Sequence, residues 1–347
     1  MKKILLCLCT ALLLTGCGTD KNNVSAPKNE EKFSTQIFAM DTVMDLSVFA
    51  RDDSILTEAS ALISNLDHEL STTDTDSEIY QLNQGGSAVL SETPSILLEH
   101  ALEFCSKTNG TLDISIYPVV RSWGFTTDSY QVPAPQTIHD LLQNVDYQKI
   151  NYSSTDHSVS LPKGMEIDLG SVAKGFTGDQ LIQLFKDHNI SSALLNLGGN
   201  VQALGSKPDG SPWRVAVQNP QGDDYLGVLS IIDQAVITSG GYERYFEDEE
   251  GNIYWHIIDP STGYPAKNGL ISATAVGSEG VYCDALSTSL FIMGPDKAVE
   301  FWRTYQDFDM ILVTGDNKVL ITPGIKDAFQ LADNSPYKLE VITNAEN

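Results

Sequence analysis

The chain has 347 residues, with 46 acidic side chains against 21 basic ones and a formal charge of −25. A body that negative has no basic face for a nucleic-acid backbone and fits poorly with lying flat on anionic lipid. The length admits one large domain or two.

Lys2 and Lys3 precede an apolar run over residues 4–14. As a helix this run is too short for a hydrocarbon core of about 30 Å, so it reads as an export signal. Leu14-Thr15-Gly16-Cys17 follows. Small residues before a nucleophilic thiol match the bacterial lipobox, in which Cys17 is lipidated; an ordinary signal with an incidental Cys is the alternative. The expectation is a signal peptide over residues 1–17 and a protein anchored to the extracytoplasmic face of the cell membrane through that lipid only. Loss of Lys2 and Lys3 leaves 46 acids against 19 bases, a charge of −27. Residues 18–34 read as a polar tether without apolar period, and residues 35–343 as the folded domain. Cys7 and Cys9 leave with the signal, so only Cys105 and Cys283 remain and no disulfide framework is indicated.

Strand and helix signals then alternate. Residues 42–50 (TVMDLSVFA) alternate like a strand, and residues 55–70 carry apolar residues at helical spacing. A second helix runs over 94–108, with Pro94 near its start and Asn109-Gly110 closing it. Residues 138–144 predict a short helix, and 159–161 and 165–169 predict strands joined by a Pro162-Lys163-Gly164 turn. An amphipathic helix over 172–188 precedes an apolar run over 193–197. Strands are expected over 213–217, 228–232, 235–238, 253–258 and 271–276, and a helix over 283–293. Without strict βαβ order, the mixture predicts an α+β or mixed α/β fold.

Four stretches can carry chemistry. In Asp168-Leu169-Gly170-Ser171-Val172-Ala173-Lys174 a strand turns into a helix, whose free N–H groups and first-turn lysine suit a phosphate. The bland alternative is a plain turn with Asp168 as its cap. Asp284 and Thr288 lie four apart, one helical turn, so a carboxylate and a hydroxyl share a face and make a hard oxygen pair suited to Mg²⁺. Their alternative is a helix start where Asp284 complements the dipole and Thr288 packs. His256, before Ile257-Ile258-Asp259-Pro260, is a candidate general base at a strand end, or a histidine held structurally by a carboxylate such as Asp259. Leu197-Gly198-Gly199-Asn200 permits close backbone approach at a nucleotide pocket, or is only a bulge or tight turn.

In this order these segments resemble the bacterial FAD:protein FMN transferase family, formerly described as a thiamine-synthesis lipoprotein family. The resemblance covers about residues 36–325. It is carried by Ala39-Met40-Asp41-Thr42, Asp76-Ser77-Glu78-Ile79-Tyr80-Gln81-Leu82-Asn83, Gly110-Thr111-Leu112-Asp113, residues 167–175, residues 196–199, Thr238-Ser239-Gly240-Gly241-Tyr242-Glu243-Arg244, residues 256–263 and residues 284–288.

The resemblance implies a single α+β body with a T-fold-like core and FAD in a cleft. It implies FAD contacts from Met40, Thr111, Leu112, Asp113, Asp168, Lys174, His256 and Ile257. Mg²⁺ would be held by Asp284, Thr288 and the backbone carbonyl of Ser171. Asp284 and His256 would be the catalytic residues, His256 assisting the acceptor hydroxyl. FMN would be joined by a phosphoester to Thr or Ser of an Asp/Ser-x-x-Ser/Thr-x-x-small motif, with AMP released. The acceptor would be a membrane redox subunit or an extracellular electron-transfer protein. Leu112 stands where the family often has Phe, Thr73 where some members have an aromatic, and Cys283 where Ala is usual. Two other functions fit the same residues. One is an FAD pyrophosphatase releasing FMN and AMP; the other is a non-catalytic flavin-binding lipoprotein.

Overall fold

The computed structural model describes residues 30–127, 129–333 and 335–343. The export signal, Cys17 and most of the tether lie outside the described residues. Nine strands form the central sheet, and their order across it is their order in the chain. They are Glu31–Ala39, Thr42–Ala50, Ala193–Leu197, Asn200–Leu204, Ala235–Gly240, Leu270–Gly277, Asp309–Thr314, Lys318–Ile321 and Lys338–Val341. Only the last pair is parallel.

Side-chain alternation shows what covers each face. Met310 and Leu312 pack with Leu286 and Leu290 of the helix Gly280–Met293. Ile311 and Val313 pack with Trp213 and Leu229 of a three-stranded sheet made of Trp213–Gln218, Tyr225–Ile231 and Phe329–Leu331. Neighbours along a strand point to opposite faces, so helices lie on one side of the large sheet and the small sheet on the other. The helix Gly170–Asp187 joins the helical layer through Leu181 and Phe185, which pack with Leu46, Val48 and Leu195. The helix Ser54–Leu70 covers the same region with Ile55, Ala59 and Ile63. The helix Glu92–Lys107 closes a further core with Ile167, Leu169 and Phe176. This is an α+β body with helices layered on an antiparallel sheet.

Three expectations differ from the structure. The first strand starts at Glu31, inside the stretch read as tether; residues 31–34 pair with residues 47–50. As an edge strand with one solvated face it buries little, and its composition is polar for that reason. Residues 165–169 form no strand. Their backbone is held by the Asn83 side chain, which donates to Ile167 O at 2.8 Å and accepts from Ile167 N at 2.7 Å. Asp168 N donates to Ile114 O at 2.9 Å. The apolar run therefore pairs with no strand and is buried in a core of helical, loop and strand residues. The strand expected over 253–258 ends at Trp255, because its hairpin partner Tyr245–Glu247 is only three residues long.

Cys105 and Cys283 are both free and buried. Burial pushes the Cys105 thiol up to about 12 and raises Cys283 as well, with Asp179 and Asp284 adding to the latter. The thiolate is the reactive form. Neither thiol is expected to react with an aromatic disulfide reagent in the native protein at pH 8, while both react in guanidinium. Stoichiometric native labelling would contradict the packing.

Candidate active site

Two helices cross where the polar side chains converge. The helices Gly170–Asp187 and Gly280–Met293 approach closely because glycines meet at the crossing. A Cβ at Gly175 would lie 2.2 Å from Gly280 O and 2.7 Å from Asp284 Cβ. Asp284 reaches across, and its Oδ2 accepts from Gly175 N at 2.8 Å. An α-helix would aim that N–H at the Ser171 carbonyl; here its proton serves the carboxylate. Gly175→Ala is expected to lower stability by about 1–3 kcal/mol, because neither backbone can yield without parting the helices. A urea midpoint within error of the parent would show that the crossing has slack.

Burial raises the Asp284 carboxyl, opposed by Lys174, by the Gly175 N–H and by the Asn200 amide. Asn200 is itself buried, and its Nδ2 has no hydrogen-bond partner of normal geometry although it faces this carboxylate. Thr288, one turn beyond Asp284, shares its hydroxyl with Ser239 Oγ at 3.2 Å, and Ser239 also meets Ser287 Oγ at 2.8 Å. Thr288 stays half-buried whereas Ser287 is buried.

Around this pair the cleft alternates in charge. Burial raises Asp168, with the Gly170 N–H, Lys174 and Arg244 opposing. Asp168 Oδ1 accepts from Gly170 N at 3.0 Å, at the start of the helix that carries Lys174. Glu243 is pushed up to about 7 by the protein around it, with Lys174 opposing and Asp284 adding. Water still reaches its side chain, which tempers that shift.

His256 lies just beyond the end of its strand. Its Nδ1 lies 3.2 Å from Arg244 O, and its backbone N donates to the same carbonyl at 3.2 Å. A carbonyl only accepts, so Nδ1 carries the proton and Nε2 presents a free lone pair. Burial pushes the imidazole down to about 4, which keeps it neutral at physiological pH. Asp259 does not hold it. That carboxylate is used by its own turn, accepting from Ser261 N at 2.8 Å and Ser261 Oγ at 2.6 Å. The turn is anchored by buried Trp123, whose Nε1 donates to Gly263 O at 3.0 Å. Trp255, beside His256, has a buried Nε1 without a partner.

Two hairpin tips complete the cleft. Met40 and Asp41 both have positive φ, 48° and 58°, in a two-residue turn that normally calls for Asn or Gly. Such strain persists only where neighbours enforce it. Thr177 Oγ1, which donates to Ala173 O at 2.8 Å, lies 3.8 Å from Met40 Sδ, and Arg244 reaches Asp41 at 3.5 Å. In the adjacent tip, a Cβ at Gly198 would meet Thr42 Oγ1 at 2.3 Å, so that glycine is forced by the close approach of the two turns. Gly198-Gly199 is thus a tight turn, with Asn200 leading from it toward Asp284.

The structure therefore brings Asp168, Lys174, His256 and Asp284 into one electrostatic cluster. Met40 lies against that cluster's helix at Thr177, and Ser171 and Thr288 lie on its two helices. Ile257 is buried in the adjoining core. Leu112 and Asp113 are buried, Leu112 in the core that also holds Leu169, Val172, Ala173 and Ala285. Asp113 accepts from Ser115 N, Ser115 Oγ and Tyr147 N at 2.9, 2.6 and 3.0 Å, so its carboxylate shapes a loop. Thr111 lines a concavity with Asp259 and Lys297. Sequence reasoning assigned no role to Asp41, Asp179, Gln202, Glu243 or Arg244. Asp41, Glu243 and Arg244 lay within quoted segments; nothing local marks Asp179 or Gln202.

Comparison with known proteins shows the family and the fold. The ApbE family model matches residues 40–312. The FAD:protein FMN transferase of Treponema pallidum is 34% identical over 297 residues, covering 80% of this chain and 82% of that protein. The Escherichia coli K12 FAD:protein FMN transferase is 32% identical over 68% of this chain and 70% of its own length. The crystal structure of the ApbE protein from Thermotoga maritima superposes with a TM-score of 0.81 at 28% identity, covering 86% of this chain and 99% of that one. The chain belongs to the ApbE family.

Proposed function

We propose that this ApbE-family chain is a magnesium-dependent FAD:protein FMN transferase, acting on a Thr or Ser hydroxyl of an extracytoplasmic flavoprotein. The observation that carries the reading is that Lys174 lies within electrostatic reach of both Asp284 and a neutral His256, although the three are far apart in sequence. The name shared by the relatives supports the donor and the reaction type.

Asp284 and Thr288 offer hard oxygens one turn apart, and Ser171 lies in the first turn of the facing helix. Buried Asn200 turns its amide toward the same carboxylate. These residues fit a magnesium ion. When bound, the ion supplies neutralisation of pyrophosphate charge. Lys174 and the N–H groups at the start of its helix hold the phosphates of FAD. The acceptor hydroxyl attacks the FMN-side phosphorus, its proton passes to His256 Nε2, and the bond to AMP breaks. The Arg244 carbonyl keeps that imidazole oriented and its tautomer fixed.

Mass spectrometry after incubation with FAD, Mg²⁺ and an acceptor domain bearing the Asp/Ser-x-x-Ser/Thr-x-x-small motif tests this. The expected product is an acceptor heavier by one FMN less one water, with AMP released. AMP and free FMN beside an unmodified acceptor would make the chain a pyrophosphatase. Intact FAD throughout would leave a flavin binder. The same reading includes a lipid anchor at Cys17, supported by the apolar run and small residues before it. Cys17→Ser is expected to abolish incorporation of an alkynyl fatty acid in cells.

A further inference from the structure

We propose that Asp179 is a positioning residue that sets the Asp284-bearing helix for metal binding; this rests on the magnesium reading above. Asp179 lies one turn after Gly175 on the same helix, so both face the crossing. Its Oδ1 accepts from Gly280 N and its Oδ2 from Val281 N, each at 2.7 Å. Those are the first two N–H groups of the helix Gly280–Met293, which have no partner within it. One turn on, Asp284 points back and accepts from Gly175 N at 2.8 Å. Each helix thus sends one carboxylate to the backbone of the other, and the two contacts lie a turn apart.

Such a reciprocal clamp fixes both slide and rotation. Gln202 removes the remaining play, its Nε2 donating to Gly175 O at 2.9 Å. A Cβ on Gly280 would sit 1.7 Å from that Nε2, and one on Gly178 at 2.1 Å. Asp284 and Thr288 ride on the clamped helix, so their oxygens move with it. Metal coordination tolerates errors of only about 0.2 Å, and groups that orient ligands typically set metal affinity by about 10–100-fold. The carboxylate is kept against an opposing environment: burial pushes it up to about 6, and Glu279 and Asp284 add to the rise.

The test is Mn²⁺ binding by electron paramagnetic resonance with FAD present, on the whole protein and on Asp179→Asn, with melting curves alongside. Asparagine keeps one acceptor oxygen and turns an NH₂ on the other N–H. Mn²⁺ is expected to bind about 10–100-fold more weakly, with the apparent KM for Mg²⁺ rising in step and the KM for FAD within about twofold. A second variant, Val281→Pro, keeps the carboxylate and removes one donor at a position in the first helical turn where proline is tolerated. It is expected to weaken Mn²⁺ by about tenfold. Parental Mn²⁺ affinity in whichever variant folds overturns the proposal. If neither folds, Asp179 holds the fold instead of the site, and the proposal falls as well. If the unaltered protein binds no Mn²⁺, the metal reading itself fails.

Discussion

Replacing Asp284 with alanine is expected to cut FMN transfer by about a thousandfold at saturating Mg²⁺ and FAD while leaving the fold intact. A bound metal contributes several kcal/mol to a phosphoryl-transfer transition state, and about 4 kcal/mol corresponds to that factor. Asp284 is the only carboxylate among the three oxygen donors proposed for the ion. Its contribution to the fold is one accepted N–H from Gly175. Losing that bond costs about 1–3 kcal/mol, offset by removal of a buried charge. Alanine keeps the Cβ that already lies against Gly175. AMP release, acceptor mass and thermal midpoint should be read on the same preparation. Full Mg²⁺-dependent turnover in Asp284→Ala would remove the carboxylate from the metal site.

His256→Ala is expected to lower transfer by about 10²–10⁴, the usual range for a positioned base. The pH dependence should separate this role from a structural one. Burial holds the imidazole at about 4, below its ordinary 6.5, so the folded protein keeps it neutral where the unfolded chain takes up a proton. The unfolded state then binds more protons between those values, and stability falls as pH drops from 6.5 toward 4. His256→Ala should flatten that part of the stability curve, measured as urea midpoints at pH 7.5 and 5.0. In the unaltered protein, transfer should show no loss centred on the ordinary histidine value. An inflection there that vanishes in the variant would mean that water, and not protein, surrounds the ring.

Local signals went furthest where one element carries the information. The helices Gly170–Asp187 and Gly280–Met293 were readable from period and breakers, within two or three residues of their ends. The Asp284–Thr288 pair followed from one helical turn. The same reasoning misread residues 165–169 as a strand, because an apolar run looks alike whether a strand or helices bury it. It also left Asp259 open as an alternative partner for His256, since nearness in sequence gives no view of the Ser261 turn that occupies that carboxylate.

The amino-acid sequence by itself determined the α+β class, the family and the residue types at the site. These depend on composition, periodicity and short motifs, all written along one dimension. The tertiary structure alone decided which groups face one another. Lys174 and Asp284 are set by a helix crossing that needs Gly175 and Gly280 together. The free lone pair of His256 is set by a carbonyl twelve residues away. Asp179 meets its two N–H groups about a hundred residues on. Contacts of that kind arise from packing between elements, and packing is a property of the folded chain.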